Sequence, residues 1–306
     1  MSTRRIEAIW RLTRFPEYAS FVIITTLLGA AAGQGSLRWP LIVVLVANWF
    51  AVGFAFMVND VEDAPDDAMN PAKAQRNPIS SGALSPRLAR RLSYAVAIMA
   101  AILYASLGWG PFATGLACLV LAYLYSSRRV RLKATPVADL VSHALLLAGL
   151  QFLAAYLTFD GGTPAQWLFP LVLVLAISLY GQLFNELRDF DGDLKAGVTH
   201  TASMLGRRTA QSLMMAWLLI GVVSAIVTIL FVRLVPGWVL LVTVALAAVL
   251  SWRRLPRARL AQSTIELHNP FQKPVEIAAA IALSAWFVGP WALSSLGARL
   301  AIAGLW

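Results

Sequence analysis

Asn59-Asp60-Val61-Glu62-Asp63-Ala64-Pro65-Asp66-Asp67 and Asn185-Glu186-Leu187-Arg188-Asp189-Phe190-Asp191-Gly192-Asp193 share one pattern, Asn-[Asp/Glu]-x-x-Asp-x-x-x-Asp. The copies stand 126 residues apart and hold nine of the chain's 15 acidic residues. Positions i, i+3 and i+7 share one face of an α-helix, so each copy lines up three carboxylates. Such a row repels itself and sits badly near lipid. Hard oxygen donors at this spacing suit Mg²⁺, which bridges a few carboxylates to substrate phosphates and keeps several waters. Two facing copies would hold Mg²⁺ around a diphosphate. The candidate metal ligands are therefore Asp60, Asp63, Asp67, Glu186, Asp189 and Asp193. The bland alternative, helix-end charges in solvated loops, suits one patch better than a repeated one. An EF-hand calcium loop is disfavoured, because the 12-residue spacing with a central Gly and a terminal Glu is missing. Pro65 lacks a backbone donor and disfavours helix at Ala64. The first patch is thus expected to be helical through Asp63 and bent after it, which makes Asp67 the less secure ligand.

Both patches close apolar runs, and the rest of the chain explains why. Of 306 residues, 59% are hydrophobic and 13% charged. That charge density is about half the ~25% of a soluble domain. Disorder is excluded as well, since it needs low hydrophobicity. Nine apolar stretches of membrane-crossing length, or nearly so, are expected at roughly 18–33, 39–58, 91–109, 110–126, 136–159, 166–186, 210–232, 235–252 and 275–297. Helices satisfy their own backbone in lipid, and no barrel-like alternation is visible. The expected fold is an all-α polytopic membrane protein, one domain over 1–306, with about nine transmembrane helices around a central cavity.

The connections alternate in character. The N-terminus and the segments 59–90, 127–135, 187–209 and 253–274 are long and basic. The others are short. All but three of the 25 Lys and Arg residues (Arg38, Arg233 and Arg299) fall in or beside the long set. This positive-inside split places the N-terminus and the long loops, with both acidic patches, in the cytoplasm. Trp39, Trp109, Trp167 and Trp238 mark the opposite interface. No secretory signal is visible at the N-terminus, and the plasma (inner) membrane is the expected location. Cys118, alone in an apolar run, reads as a packing thiol.

The net charge of +10 concentrates beside the acids. Lys73 and Arg76 follow the first patch within a Pro- and Gly-flanked loop. Arg131 and Lys133 follow the fourth span, and Lys195 follows the second patch. Arg forks and Lys point charges both grip phosphate oxygens. Arg87, Arg90 and Arg91 fit a topological role. Basic residues dispersed over five loops and interleaved with acids exclude nucleic acid as the partner. Membrane lipid is the expected surrounding.

These residues resemble the UbiA superfamily of intramembrane prenyltransferases. Asn59, Asp60, Asp63 and Asp67 match its first motif in full, and Asp189 and Asp193 match its second, with Glu186 one turn earlier. Tyr125-Ser126 with Arg131-Leu132-Lys133 is similar to its Tyr-Ser-…-Leu-Lys loop. Arg76-Asn77-Pro78-Ile79-Ser80-Ser81-Gly82 is similar to its Arg-Pro-Ile-x-x-Gly element. Departures include Glu186 for Asp, Arg128 and Arg129 where Pro is frequent, and Asn77. The resemblance implies nine helices around a cavity, a prenyl diphosphate donor, Mg²⁺ as cofactor and a hydrophobic acceptor: an aromatic ring, a glycerol phosphate lipid or a carotenoid end group. It implies catalytic roles for Asp60, Asp63, Asp67, Asp189 and Asp193, with Asn59 and Asn185 orienting waters or phosphate oxygens. Candidate pocket polars are Asn48, Tyr125, His143, Gln151 and Gln182; His268 reads as loop punctuation. A UbiA-type terpene cyclase, working without an acceptor, shares both motifs and stays open. A transporter is the distant alternative, disfavoured because both motifs lie on one side of the membrane and not at its middle.

Overall fold

The computed structural model describes residues 3–159, 161–195, 197–256 and 263–302. In chain order the helices are α1 (Thr3–Thr13), α2 (Phe15–Ala32), α3 (Trp39–Asp67), α4 (Pro71–Arg76), α5 (Pro86–Ala105) and α6 (Trp109–Ser126). They continue as α7 (Ala138–Phe159), α8 (Pro164–Lys195), α9 (Thr201–Leu205), α10 (Arg207–Phe231), α11 (Gly237–Ser251) and α12 (Thr264–Ile302). Among the described residues, nine of these are long and apolar enough to cross a membrane: α2, α3, α5 to α8 and α10 to α12. The chain is an integral membrane protein. Part of the basic 253–274 connection, with Arg257 and Arg259, lies outside the described residues, as does the side chain of Arg299.

Two helices outrun the bilayer. α3 has 29 residues and α8 has 32. At 1.5 Å per residue both exceed the roughly 30 Å of hydrocarbon by more than two turns. The overhangs carry the two acidic patches, so each patch is an unbroken helix face.

Pro65 does not end α3, contrary to the expectation of a bend after Asp63; the helix runs through it to Asp67. The proline sits in the last turn, where few bonds are at stake. Outside groups hold that turn. Asn77 Nδ2 donates to the Asp60 carbonyl (2.8 Å) and to Asp67 Oδ2 (2.9 Å), and Ser80 Oγ donates to the Ala64 carbonyl (2.8 Å). α12 likewise begins at Thr264, earlier than expected, with Pro270 and Pro274 inside it. His268 is therefore helical, and its Nδ1 lies 3.0 Å from the Tyr180 hydroxyl.

The helices pack by close approach at small residues, the rule where lipid removes the hydrophobic drive between helices. A Cβ on Gly29 would stand 2.3 Å from the Phe152 carbonyl oxygen, and one on Gly115 would stand 2.2 Å from the Tyr104 ring. α7 carries a π turn at Leu145–Gly149. Gln151 Nε2 donates to the Leu146 and Leu147 carbonyls there, both at 2.9 Å, which satisfies backbone that the wider turn disturbs. Asn48 joins four helices. Its Nδ2 donates to Thr26 Oγ1 (2.8 Å) and the Gln151 carbonyl (3.2 Å), while its Oδ1 accepts from the Tyr104 hydroxyl (2.5 Å). Trp39, Trp109 and Trp238 stand exposed in the first turns of α3, α6 and α11.

Candidate active site

The first acid row stands against the loop that follows α6. Arg131 takes a left-handed φ of 50°, and the short turn Leu132–Ala134 follows it. Lys133 Nζ lies 2.6 and 2.5 Å from the two Asp63 oxygens and 2.8 Å from Asn59 Oδ1. Burial pulls the Lys133 ammonium below its usual value even with Asp63 beside it. Arg131 Nη2 bonds Asp66 Oδ2 at 2.9 Å and approaches Asp63 Oδ1 at 3.6 Å. Arg128 bonds Asp66 Oδ1 (2.9 Å) and the Glu62 carbonyl (2.8 Å). Ser126 Oγ donates to Asn59 Oδ1 at 3.3 Å.

Asp60 looks the other way. It is buried, and Arg14 Nη1 reaches its Oδ1 at 3.4 Å while stacking over Phe56 at 4.7 Å. Arg76, at the end of α4, lies within electrostatic range of Asp60. Lys73, exposed on the same short helix, lies within electrostatic range of Asp193 in the second acid row. Arg11 pins α4 by donating to the Gln75 and Arg76 carbonyls.

The second row is more open. Asn185 and Asp189 are exposed, and Asp189 pairs with the adjacent Arg188 at 3.2 Å. Asp193 is half-buried, with its Oδ2 3.5 Å from His200 Nε2. Lys195 is exposed. Glu186, expected among the metal ligands, is buried, and both its oxygens accept from protein donors. Gln182 Nε2 reaches Oε1 at 2.9 Å, and the Ala202 amide reaches Oε2 at 3.0 Å. Asn48, expected to line a pocket, spends its whole amide on the helix hub described above.

Tyr125 stands near a member of each motif. It lies within electrostatic range of Glu186, Asp139 and Asp63, and it bonds Gln182. Its ring faces His143 at 6.3 Å, and His143 Nδ1 meets Ser178 Oγ at 3.2 Å. Both residues stay half-buried.

The donor chemistry fits Mg²⁺ in a particular way. Among the described residues, no three of His, Cys, Asp and Glu converge into a ready cage. Asp63 and Asp193 stand half-buried and Asp189 exposed, the arrangement that suits an ion taking one or two carboxylates and completing its shell with water and phosphate.

The model of the UbiA prenyltransferase family matches residues 22–265. This chain belongs to that family. A lycopene elongase/hydratase of Haloarcula japonica is 30% identical over 213 residues, 67% of this chain and 69% of the relative. The bacteriochlorophyll synthase 33 kDa chain of Cereibacter sphaeroides is 26% identical over 215 residues, 68% of either chain. The fold matches a UbiA homolog from Archaeoglobus fulgidus bound to GPP and Mg²⁺, with a TM-score of 0.65 at 21% identity, covering 90% of this chain and 99% of that one.

Several residues around the candidate site of this UbiA-family chain escape sequence reading. Asp139 is fully buried at the start of α7. Its oxygens accept from the Thr201 amide (2.6 Å), the Thr201 hydroxyl and the Leu140 amide (2.6 Å). The Val137 amide donates to Thr201 Oγ1 at 2.7 Å, and Thr199 Oγ1 to the Ala134 carbonyl at 3.1 Å. The loop that holds Lys133 is thus stitched to the segment after the second acid row. Asp139 had a legible signal, as a single acid in the first turn of an apolar span. Arg14, His200 and Thr201 had none. Asn77 and Arg128, departures from the family pattern, are the latches on α3.

Proposed function

We propose that this UbiA-family chain transfers an isoprenyl group from a prenyl diphosphate to a hydrophobic acceptor within the membrane, with Mg²⁺ as cofactor. One observation carries this reading. The two carboxylate motifs come together near Tyr125, which lies within electrostatic range of Asp63 in the first and of Glu186 in the second, with Lys133 seated against Asp63. Bound there, Mg²⁺ would supply the positive charge that makes diphosphate a leaving group.

The chain's own residues do the rest. Lys133, Arg131, Lys73, Arg76 and Lys195 offer N–H donors to phosphate oxygens. Asn59 and Asn185 present amides to the same oxygens or to water. The allylic C–O bond breaks, and its electron pair leaves with the diphosphate. The acceptor's electrons form the new bond to that carbon, and the acceptor then loses a proton. Apolar helix walls keep water from quenching the carbon centre. Tyr125 and His143 flank the space that the acceptor would enter. Glu186 acts through the segment it caps. We take residues 1–306 as one unit, with the acidic end facing the cytoplasm.

Relatives named for lycopene, bacteriochlorophyll and, in Methanobrevibacter smithii, digeranylgeranylglyceryl phosphate leave the acceptor class to assay. The test is purified protein with labelled prenyl diphosphates of several lengths, an acceptor panel and a control without acceptor. Label moving into an acceptor only when one is present supports transfer. Release of a hydrocarbon or alcohol at the same rate without acceptor overturns it in favour of cyclisation.

A further inference from the structure

His200 is the sole residue among those described whose buried side-chain atom lacks a hydrogen-bond partner, and that atom is Nε2. Its side chain is 4% exposed. The other nitrogen is accounted for. Nδ1 accepts from the Ser203 amide at 3.2 Å and caps α9, with Glu186 Oε2 3.3 Å from the same nitrogen, while the His200 amide donates to Ser203 Oγ at 2.9 Å. A nitrogen that accepts an N–H carries no proton, so with the Ser203 bond made the ring's proton is on Nε2. Nε2 is then a buried donor, and leaving one unmade is costly. Asp193 Oδ2 lies 3.5 Å away, a few tenths of an ångström beyond a normal bond. Phe190 packs its ring edge-on to the imidazole at 6.5 Å. The segment carrying His200 is fixed on both flanks, by Thr199 to Ala134 and by Thr201 to Asp139. The ring therefore cannot swing away to find another partner.

We infer that His200 is a positioning residue for the second acid row. Its Nε2–H closes on Asp193 when the metal and diphosphate arrive, and it turns the carboxylate's other oxygen toward them. This inference rests on the prenyl diphosphate reading. Outer partners of this kind change metal affinity by about 10–100-fold.

The experiment uses the full-length protein in detergent. Binding of geranyl thiodiphosphate, which resists C–O cleavage, is measured calorimetrically across a Mg²⁺ series, with thermal unfolding read in parallel. His200→Asn keeps an oxygen for the α9 cap but removes the far donor. We expect its melting temperature to stay close to wild type and its Mg²⁺ requirement for binding to rise about tenfold. His200→Gln and His200→Met form a second pair of equal reach that differ in one terminal N–H, so they decide the matter even where Asn disturbs the cap. The Gln variant binding at lower Mg²⁺ than the Met variant supports the inference. Equal Mg²⁺ requirements in Gln and Met overturn it and leave His200 as a cap alone. Wild-type protein that binds the analogue without any Mg²⁺ dependence sinks the underlying reading instead, a separate and recognisable failure.

Discussion

Lys133 Nζ sits 2.6 and 2.5 Å from the two oxygens of Asp63, and the two side chains are only 16% and 20% exposed. A partly shielded ion pair of this kind is worth little as a strut, but breaking it from one side is costly because the partner charge stays behind. Lys133→Met should lower unfolding stability by about 1–3 kcal/mol. It should also raise the donor KM about tenfold or more, the equivalent of one charge-assisted contact. Lys133→Arg should recover stability better than KM, because a fork and a point charge grip phosphate differently. Steady-state kinetics and thermal melts check both; an unchanged KM in the Met variant removes Lys133 from the donor site.

Helix phase separates two neighbouring acids. Asp189 lies on the repeated i, i+3, i+7 face, whereas Asp191 is exposed off that face and pairs with Arg207 at 2.6 Å. Asp189→Ala and Asp63→Ala should each lose most turnover at saturating donor. Asp191→Ala should stay within about twofold of wild type, as surface substitutions away from special features do. Equal losses at 189 and 191 would contradict the phase argument.

Chelation should behave like loss of the acid rows. EDTA is expected to abolish label transfer, and Mg²⁺ to restore it. The carboxylates are hard oxygen donors without thiolate or imidazole cages, so Mg²⁺ should rescue better than Zn²⁺. Transfer that persists through exhaustive chelation contradicts the proposal.

Glu186 poses a choice between ligand and scaffold. Both its oxygens already accept from Gln182 and the Ala202 amide. Glu186→Ala should therefore cost about 1–3 kcal/mol of stability by orphaning a buried amide, while the Mg²⁺ concentration for half-maximal rate stays within about threefold of wild type, short of the 10–100-fold that lost metal partners produce. A large rise in that concentration with stability intact would return Glu186 to the metal.

Asn48 should behave as structure. Asn48→Ala strands the Tyr104 hydroxyl in the packed interior, at a cost of about 1–3 kcal/mol. Acceptor preference should not change. A shifted acceptor profile with an unchanged melt would reinstate Asn48 as pocket lining.

The spans and the paired motifs were legible because lipid leaves so few solutions. A run of about twenty apolar residues has to be a helix, and a helix spaces i, i+3 and i+7 along one face whatever surrounds it. What local sequence does not carry is anything settled by a distant partner. Asn48 looked like cavity lining because periodicity gives a direction but no neighbour, and Tyr104 is 56 residues away. Pro65 looked like a terminator because the local rule is strong, yet Asn77 and Ser80 hold the helix closed across it. Asp139 and Thr201 meet across 62 residues, and nothing in either local sequence announces the other.

The stitch between Thr201 and Asp139 also sets an order of events during synthesis. Asp63 leaves the ribosome 70 residues before Lys133, and the second acid row follows later still. A nascent chain that has reached Lys133 already has its first row matched by its own cation. Until Thr201 emerges and locks onto Asp139, the other half has no fixed place. Any fragment that stops short of that residue should insert into lipid, hold its early helices together and remain blind to diphosphate. The two halves thus come under one lock only when two thirds of the chain has been made, with the spans α10 to α12 still to follow.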